Sequence, residues 1–507
     1  MINPFITLVV ILTAVALSPA IQAGKTDDTL NVAFMIEAAT MDAYMTTSRN
    51  GGILARHLYD SLLYKEPFSG EIKPALAKSY QFIDDTTMEF ELREGVTFHN
   101  GEPFDADDVV YTLNKVSDPA YGAKTQLNVD WIKQAEKMGP YQVKLTMKKP
   151  FPLALEMLAG PIAIYPNEYY EKVGPEGMGT KPIGTGPYKM VKLTPGTRWV
   201  MERFENYYAD SPKGKPAIKN LVIRVLPERN TQYAELLAGK LDWIWKIPPD
   251  QAEKLAKMPK IQIKNTSVLR IDYIHFDVLG KVKKSPVNEL KVRQAIAYAI
   301  NRQGIVTALT KRNSQVIHTA CNPTQFGCTE EVVKYEYDPE RAKQLLVEAG
   351  YPEGFEIEMV TDSTRRTLAE AIMGDLAKVN IKVKLNIQQY AAAREKWRAG
   401  QSPMTFTGWG SYGIADVAML PGNFFTGSAD DLAGDAEVKA WLEKGDSSID
   451  STVRQENYAK ALKKIAAQVY WLPLWTHNVY YGLSKDLDFT LPADEYARFF
   501  LAKWKTP

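Results

Sequence analysis

The stretch Pro182-Ile183-Gly184-Thr185-Gly186-Pro187-Tyr188 sets two prolines around two glycines and runs directly into an alternating segment. Glycine accepts backbone angles closed to other residues and bares its amide to whatever lies alongside. Proline fixes φ and restricts the residue before it. The combination reads as a hinge, followed by a strand in which Tyr188, Met190 and Lys192 alternate with Lys189, Val191 and Leu193. An ordinary loop between two strands is the alternative. The hinge reading is preferred because the rest of the chain reads as two bodies joined through this point. A chain of 507 residues is too long for one core, since single cores stop growing near ~250–300 residues.

Composition narrows the class. Sixty-one Lys and Arg nearly cancel 60 Asp and Glu, so no global field draws in nucleic acid or an acidic membrane. Charged residues at 24% and apolar residues at 45% fit a globular protein. The start differs from everything after it. Residues 5–17 are almost wholly apolar, Ser18 and Pro19 break the run, and Ile21-Gln22-Ala23 offers a small residue for cleavage, although no Lys or Arg precedes the apolar core. This predicts a signal peptide over 1–23, too short to span a bilayer, and export of the mature chain. No cysteine adjoins the cleavage site, which argues against a lipid anchor. Both cysteines, Cys321 and Cys328, flank Asn-Pro-Thr-Gln-Phe-Gly, and in an exported protein this reads as a local disulfide.

Periodicity predicts a mixed α/β chain. Strands are expected over 30–36, 87–93, 141–147 and 220–226, with Met88, Phe90 and Leu92 inward in the second. Helices are expected over 53–63, with Leu54, Leu58 and Leu62 on one face, and over 105–116, where Asp105 caps and Asp108 reaches back. A second body begins near Phe276. It holds a helix from 290 to about 310, another opened by Asp338-Pro339 and closed by Gly350, and a last helix over 454–470. Strands at 355–361 and 381–387 around a helix imply a parallel pair.

The residues of an enzyme are not assembled in this sequence. The five histidines are scattered, Gly408-Trp409-Gly410-Ser411-Tyr412-Gly413 puts Trp409 where the first glycine of a nucleophile elbow belongs, and residues 174–181 end in the wrong order for a P-loop. A secreted hydrolase is therefore the weaker alternative, and no cofactor or metal is expected. The same aromatic, glycine-rich stretch, ending at Asp416, suits a cleft that offers stacking surfaces and a few fixed polar groups.

Several dispersed stretches resemble the extracytoplasmic solute-binding proteins of peptide-type ABC importers, bacterial family 5, whose members include peptide, oligopeptide and nickel binders. They are LYDSLLYKEP (58–67), IKPALAKSY (72–80), FELREGVTFHNGEPFDADDVVYTL (90–113), KPIGTGPYKM (181–190), ERFENYY (202–208), LKVRQAIAYAINRQGIV (290–306) and YWLPLW (470–475). The resemblance implies a two-lobed periplasmic binding protein, type II and cluster C-like, with an additional domain on lobe I. It implies lobe I from 24–59, 185–276 and 476–507, the additional domain at 60–184 and lobe II at 277–475. It implies a monomeric, periplasmic partner of ABC permease subunits that binds a short peptide or small molecule. Peptide-binding members place an aspartate three residues after the tryptophan, to pair with a peptide amine. Here that place holds Tyr412, so either Asp416 substitutes or the ligand is an opine, oligosaccharide or metal chelate without a free amine. The expected ligand-binding residues are Thr40, Asp42, Gly184, Thr185, Gly186, Trp245, Gly408, Trp409, Gly410, Ser411, Tyr412 and Asp416. Arg365 and Arg366 sit where such proteins sometimes put a carboxylate-pairing arginine, but their spacing to the following helix does not match, and a solvated pair is the preferred expectation.

Overall fold

The structure is a computed structural model that describes residues 24–506 apart from 125, 311–313 and 420, so the expected signal peptide lies outside the described residues. Ten strands form one mixed sheet, in the order Ile381–Gln388, Phe355–Asp362, Met404–Trp409, Ile261–Phe276, Trp471–Ser484, Trp243–Trp245, Thr29–Phe34, Asn220–Val225, Arg198–Arg203 and Tyr188–Thr194. The architecture follows from the two long central strands, which run antiparallel to each other. At one end Ile261–Val268 pairs with His477–Ser484, which also borders Trp243–Trp245. At the other end Ile271–Phe276 pairs with Met404–Trp409. The register slips between Val268 and Ile271, and again between Asp272 and Tyr273. Such slips bend a ribbon, and this one joins two half-sheets, each with its own helices. The fold is that of a two-lobed binding protein.

Local sequence explains most elements. Asp105 and Asp108 form the expected capping box of helix Ala106–Ser117. Asp338 accepts from the Arg341 amide at the start of Pro339–Glu348, and Gly350 follows with φ +86°. Phe355–Asp362 and Ile381–Gln388 are parallel as expected. The helix expected to run from 290 to 310 is broken. It stops at Ala299, and Asn301 caps a new turn, Arg302–Ile305, by accepting from the Gly304 amide. Helix Arg49–Leu58 begins four residues before the expected start and ends at Leu58, so Leu62 is buried from the loop rather than from the helix face.

A separate antiparallel sheet, Ala77–Asp84, Thr87–Leu92, Gln142–Met147 and Ile132–Gly139, packs beside the first half. Its inner residues Met88, Phe90, Val143 and Leu145 share one continuous apolar core with Phe34, Tyr188 and Leu221 of the large sheet. The second half has cores of its own around Phe276, Ile296 and Phe406, and around Tyr458, Leu462 and Trp471.

The segment 182–188 is not the pivot between the halves. Gly184 and Gly186 are buried, and a Cβ on either would collide with the backbone of Leu58, and at Gly186 with that of His57 as well. The Gly186 amide donates to the Leu58 carbonyl at 3.0 Å, and His99 Nε2 lies 2.9 Å from the Gly186 carbonyl. These glycines let two backbones touch inside the first half. The chain passes between the halves in the two long strands instead.

Candidate functional site

The crossing ribbon carries a buried charge cluster. Arg365 donates to Asp272 Oδ1 through Nε and Nη2, at 3.1 and 3.0 Å, and to Asp362 through Nη1. Trp475 Nε1 donates to the other Asp272 oxygen at 3.0 Å. Burial pushes the Asp272 carboxyl up, but the Arg365 guanidinium holds it below the usual carboxylate range. Arg365 is therefore buried and doubly paired, contrary to the expected solvated pair. Arg366 does reach solvent, beside Glu370. Gly408 is required here because a side chain would strike Asp272 and Arg365.

The strand Met404–Trp409 delivers the aromatic loop to the same place. Ser411 and Tyr412 have φ of +48° and +49°, a region few non-glycine residues occupy without support. The support comes from the disulfide-closed segment. Cys321 and Cys328 are bonded, and between them Gln325 Nε2 donates to Ser411 Oγ, the Ile414 carbonyl and the Asp416 carbonyl at 3.0, 3.2 and 3.1 Å. The Trp409 ring stands edge-on to Tyr412 and Phe424, at 4.7 and 5.5 Å. Trp409 is 8% exposed, and among the described residues its Nε1 has no hydrogen-bond partner.

Across from this loop lies a wall from the first half. Arg49, at the start of helix Arg49–Leu58, donates to the Asp494 carbonyl at 2.8 Å and lies 4.1 Å over the Tyr496 ring. Arg270, from the register slip of the long strand, donates to Glu495 at 3.1 Å. A Cβ on Gly410 would lie 3.2 Å from Arg270 Nη2 and 3.5 Å from Arg49 Nη2, and one on Gly413 would lie 2.9 Å from the Tyr496 ring. The bare backbone of the loop thus faces two guanidinium groups and a tyrosine of the other half. Lys246 follows strand Trp243–Trp245 and sits 4.3 Å from the Trp245 ring. A recess opens beside this meeting point, lined by Arg56, Tyr412, Asp494, Tyr496 and Arg498.

The expected site residues divide. Gly410 and Tyr412 line the meeting of the halves, with Gly408, Trp409 and Ser411 in the same loop behind them. Trp245 is buried among Phe34, Trp243 and Tyr481, and only its Lys246 neighbour reaches outward. Asp42 is buried, accepting from Tyr165 Oη at 3.0 Å, Tyr170 Oη at 2.8 Å and the Tyr44 amide at 2.9 Å; Thr40 Oγ1 accepts from the Asp42 amide. These two residues brace the first half and do not face the loop. Thr185 donates to buried Asp60, and Gly184 and Gly186 pack as described above. Asp416 is held by Arg454, whose Nη2 lies 2.9 Å from both carboxylate oxygens. It cannot stand in for the missing amine partner. Sequence reading missed Arg49, Lys246, Arg270, Gln325, Glu495 and Tyr496. Each is an ordinary charged or polar residue until folding collects it from a distant segment.

Comparison with known proteins places these features in a family. The family described as "Bacterial extracellular solute-binding proteins, family 5 Middle" matches residues 71–431. Heme-binding protein A of Haemophilus influenzae is 30% identical over 462 residues, covering 84% of this chain and 82% of its own. The glutathione-binding protein GsiB of Salmonella paratyphi A is 28% identical, with coverage of 88% and 89%. Among solved structures, HbpA2 from Haemophilus parasuis superposes with a TM-score of 0.79 at 26% identity, over 94% of this chain and 100% of that one. AgaA from A. tumefaciens R10, in complex with agropinic acid, superposes with a TM-score of 0.78 at 26% identity, over 94% and 99%.

Proposed function

This chain belongs to the bacterial extracellular solute-binding proteins of family 5, and from that premise we propose that it is exported to the periplasm, captures a peptide or peptide-like solute between its two lobes and delivers it to the membrane permease of an ABC importer. The observation that carries the proposal is the approach of Gly410 to Arg49 and Arg270. An aromatic, backbone-rich loop of one lobe meets cations of the other, and the lobes are joined by two bent strands. A solute seated there touches both lobes, and closure around it needs that double contact. Shifting an open-to-closed ratio from 1:99 to 99:1 takes ~5.5 kcal/mol of differential affinity. No helix of the described residues is long and apolar enough to cross a membrane, which fits a protein that works beside the permease.

A ligand without a free amine at the loop is the second reading, and one observation favours it. Tyr412 occupies the place of the amine-pairing acid, and the nearest acid, Asp416, is occupied by Arg454. The solved relative that holds agropinic acid lends support to a non-peptide solute. Mass spectrometry of whatever co-purifies with the protein from a periplasmic extract tests the proposal. A stoichiometric small solute, released on unfolding, supports it. A protein that carries no solute and binds none from the extract in calorimetry contradicts it.

A further inference from the structure

The charges on the first-lobe wall do not balance. Arg49 and Arg270 both turn to Glu495, with Nη2 to Oε2 distances of 3.7 and 3.1 Å. Glu495 is 3% exposed, and although burial pushes its carboxyl up, Arg270, Arg49 and Lys246 pull it down to about 2. It is a full anion held between Arg49 and Arg270. The Lys246 ammonium makes no hydrogen bond among the described residues and lies over the face of Trp245. The residue is exposed to solvent, and Arg270, Arg49 and Arg229 lie close enough to oppose its charge against the pull of Glu495.

Arg365 has Asp272 and Asp362, Arg394 has Asp430, and Arg498 has Asp494, whereas Arg56 and Arg229 donate to backbone carbonyls, those of Gly52 and Lys246. The excess therefore gathers on the first-lobe wall, where Arg49, Arg270 and Lys246 lie around Glu495. Guanidinium groups match carboxylate and phosphate oxygens in paired geometry, and an uncompensated cationic cleft concentrates anions.

We propose that this cleft selects solutes carrying at least two negative charges at one end, held by Arg49, Lys246 and Arg270. The proposal rests on the reading that the cleft holds a solute. Carboxylates and a phosphate share this chemistry, and the test separates them. Calorimetry on the solute-stripped protein uses three probes: the tripeptide Glu-Asp-Ala, the tripeptide Ala-phosphoserine-Ala and neutral Ala-Ala-Ala. At least one acidic probe is expected to bind ten or more times more tightly than the neutral one, and which of the two does so identifies the source. Lys246→Asn is expected to reduce that preference at least fivefold. Asparagine tolerates the left-handed backbone at this position, φ +56°, so the substitution adds no backbone strain. Lys192→Ala, on the exposed edge strand, is expected to change nothing. Equal binding of all three probes, or binding of none, overturns the charge preference. The transport reading is tested apart from it, by the solute that co-purifies with the protein.

Discussion

Asp416 and Arg454 meet with one guanidinium nitrogen 2.9 Å from both carboxylate oxygens, and both residues are buried. The pair ties the end of the aromatic loop to helix Ser451–Ala467. Removing one partner of such a pair strands the other charge, which costs ~3–5 kcal/mol. Asp416→Ala is therefore expected to lower the urea midpoint markedly. Solute affinity per folded molecule should change little. A variant with wild-type stability and lost binding would return Asp416 to the ligand.

Gly186 is expected to matter for folding and not for binding. A Cβ there would lie 2.4 Å from the His57 and Leu58 backbone, and overpacking a closed interior costs ~1–3 kcal/mol or more. Gly186→Ala should unfold at lower denaturant and, where folded, bind normally. Normal stability with weakened binding would place the hinge back at 182–188.

His57 gives a pH-dependent signature with a definite sign. Its Nδ1 lies 2.8 Å from the Ile53 carbonyl, and its Nε2 accepts the Phe499 amide at 2.9 Å, so the ring is neutral. Burial lowers its pKa from 6.5 to about 3. The unfolded chain thus takes up a proton that the folded chain refuses, and the stability tied to His57 is whole above pH 6.5 and drains away as pH falls toward about 3. Several buried carboxyls titrate across the same range, so the useful quantity is a difference. The stability advantage of wild type over His57→Gln is expected to shrink by ~1.4 kcal/mol per pH unit below pH ~6. An advantage constant from pH 7 to 4.5 would contradict the neutral, buried ring.

The disulfide is expected to act on the site as well as on stability. Closing so short a ring contributes ~2–3 kcal/mol in the loop-entropy description, and Gln325 inside it holds Ser411, Ile414 and Asp416. Cys321→Ser with Cys328→Ser should lower both the melting temperature and solute affinity, and Gln325→Ala chiefly the affinity. Unchanged affinity in both variants would mean that the loop holds its shape without this clamp.

Local signals in the sequence were legible where local physics decides. The capping box at Asp105, the Asp338-Pro339 helix start and the Cys321–Cys328 pairing all depend on residues within a few positions of one another. The aromatic loop was legible from composition for the same reason. What failed depended on partners far along the chain. The glycines at 184 and 186 do demand close approach, but sequence does not say that the approaching backbone is 57–59. Asp42 looked available until Tyr165 and Tyr170 closed over it. Arg365 looked solvated until Asp272 and the Gly408 backbone enclosed it. The cationic wall draws Arg49, Lys246, Arg270 and Glu495 from four separate segments, and no window of sequence contains two of those segments together.

The central claim is that solute binding draws the lobes together across Trp409, Gly410 and Tyr412. Small-angle scattering of the solute-free and solute-saturated protein, with Trp409→Ala measured in parallel, tests it most directly. The account predicts that the radius of gyration falls on saturation of the wild type, and that Trp409→Ala binds at least tenfold more weakly, ~1.4 kcal/mol, with the same compaction only at correspondingly higher solute. A radius of gyration unchanged at saturation, with Trp409→Ala binding like wild type, would contradict it.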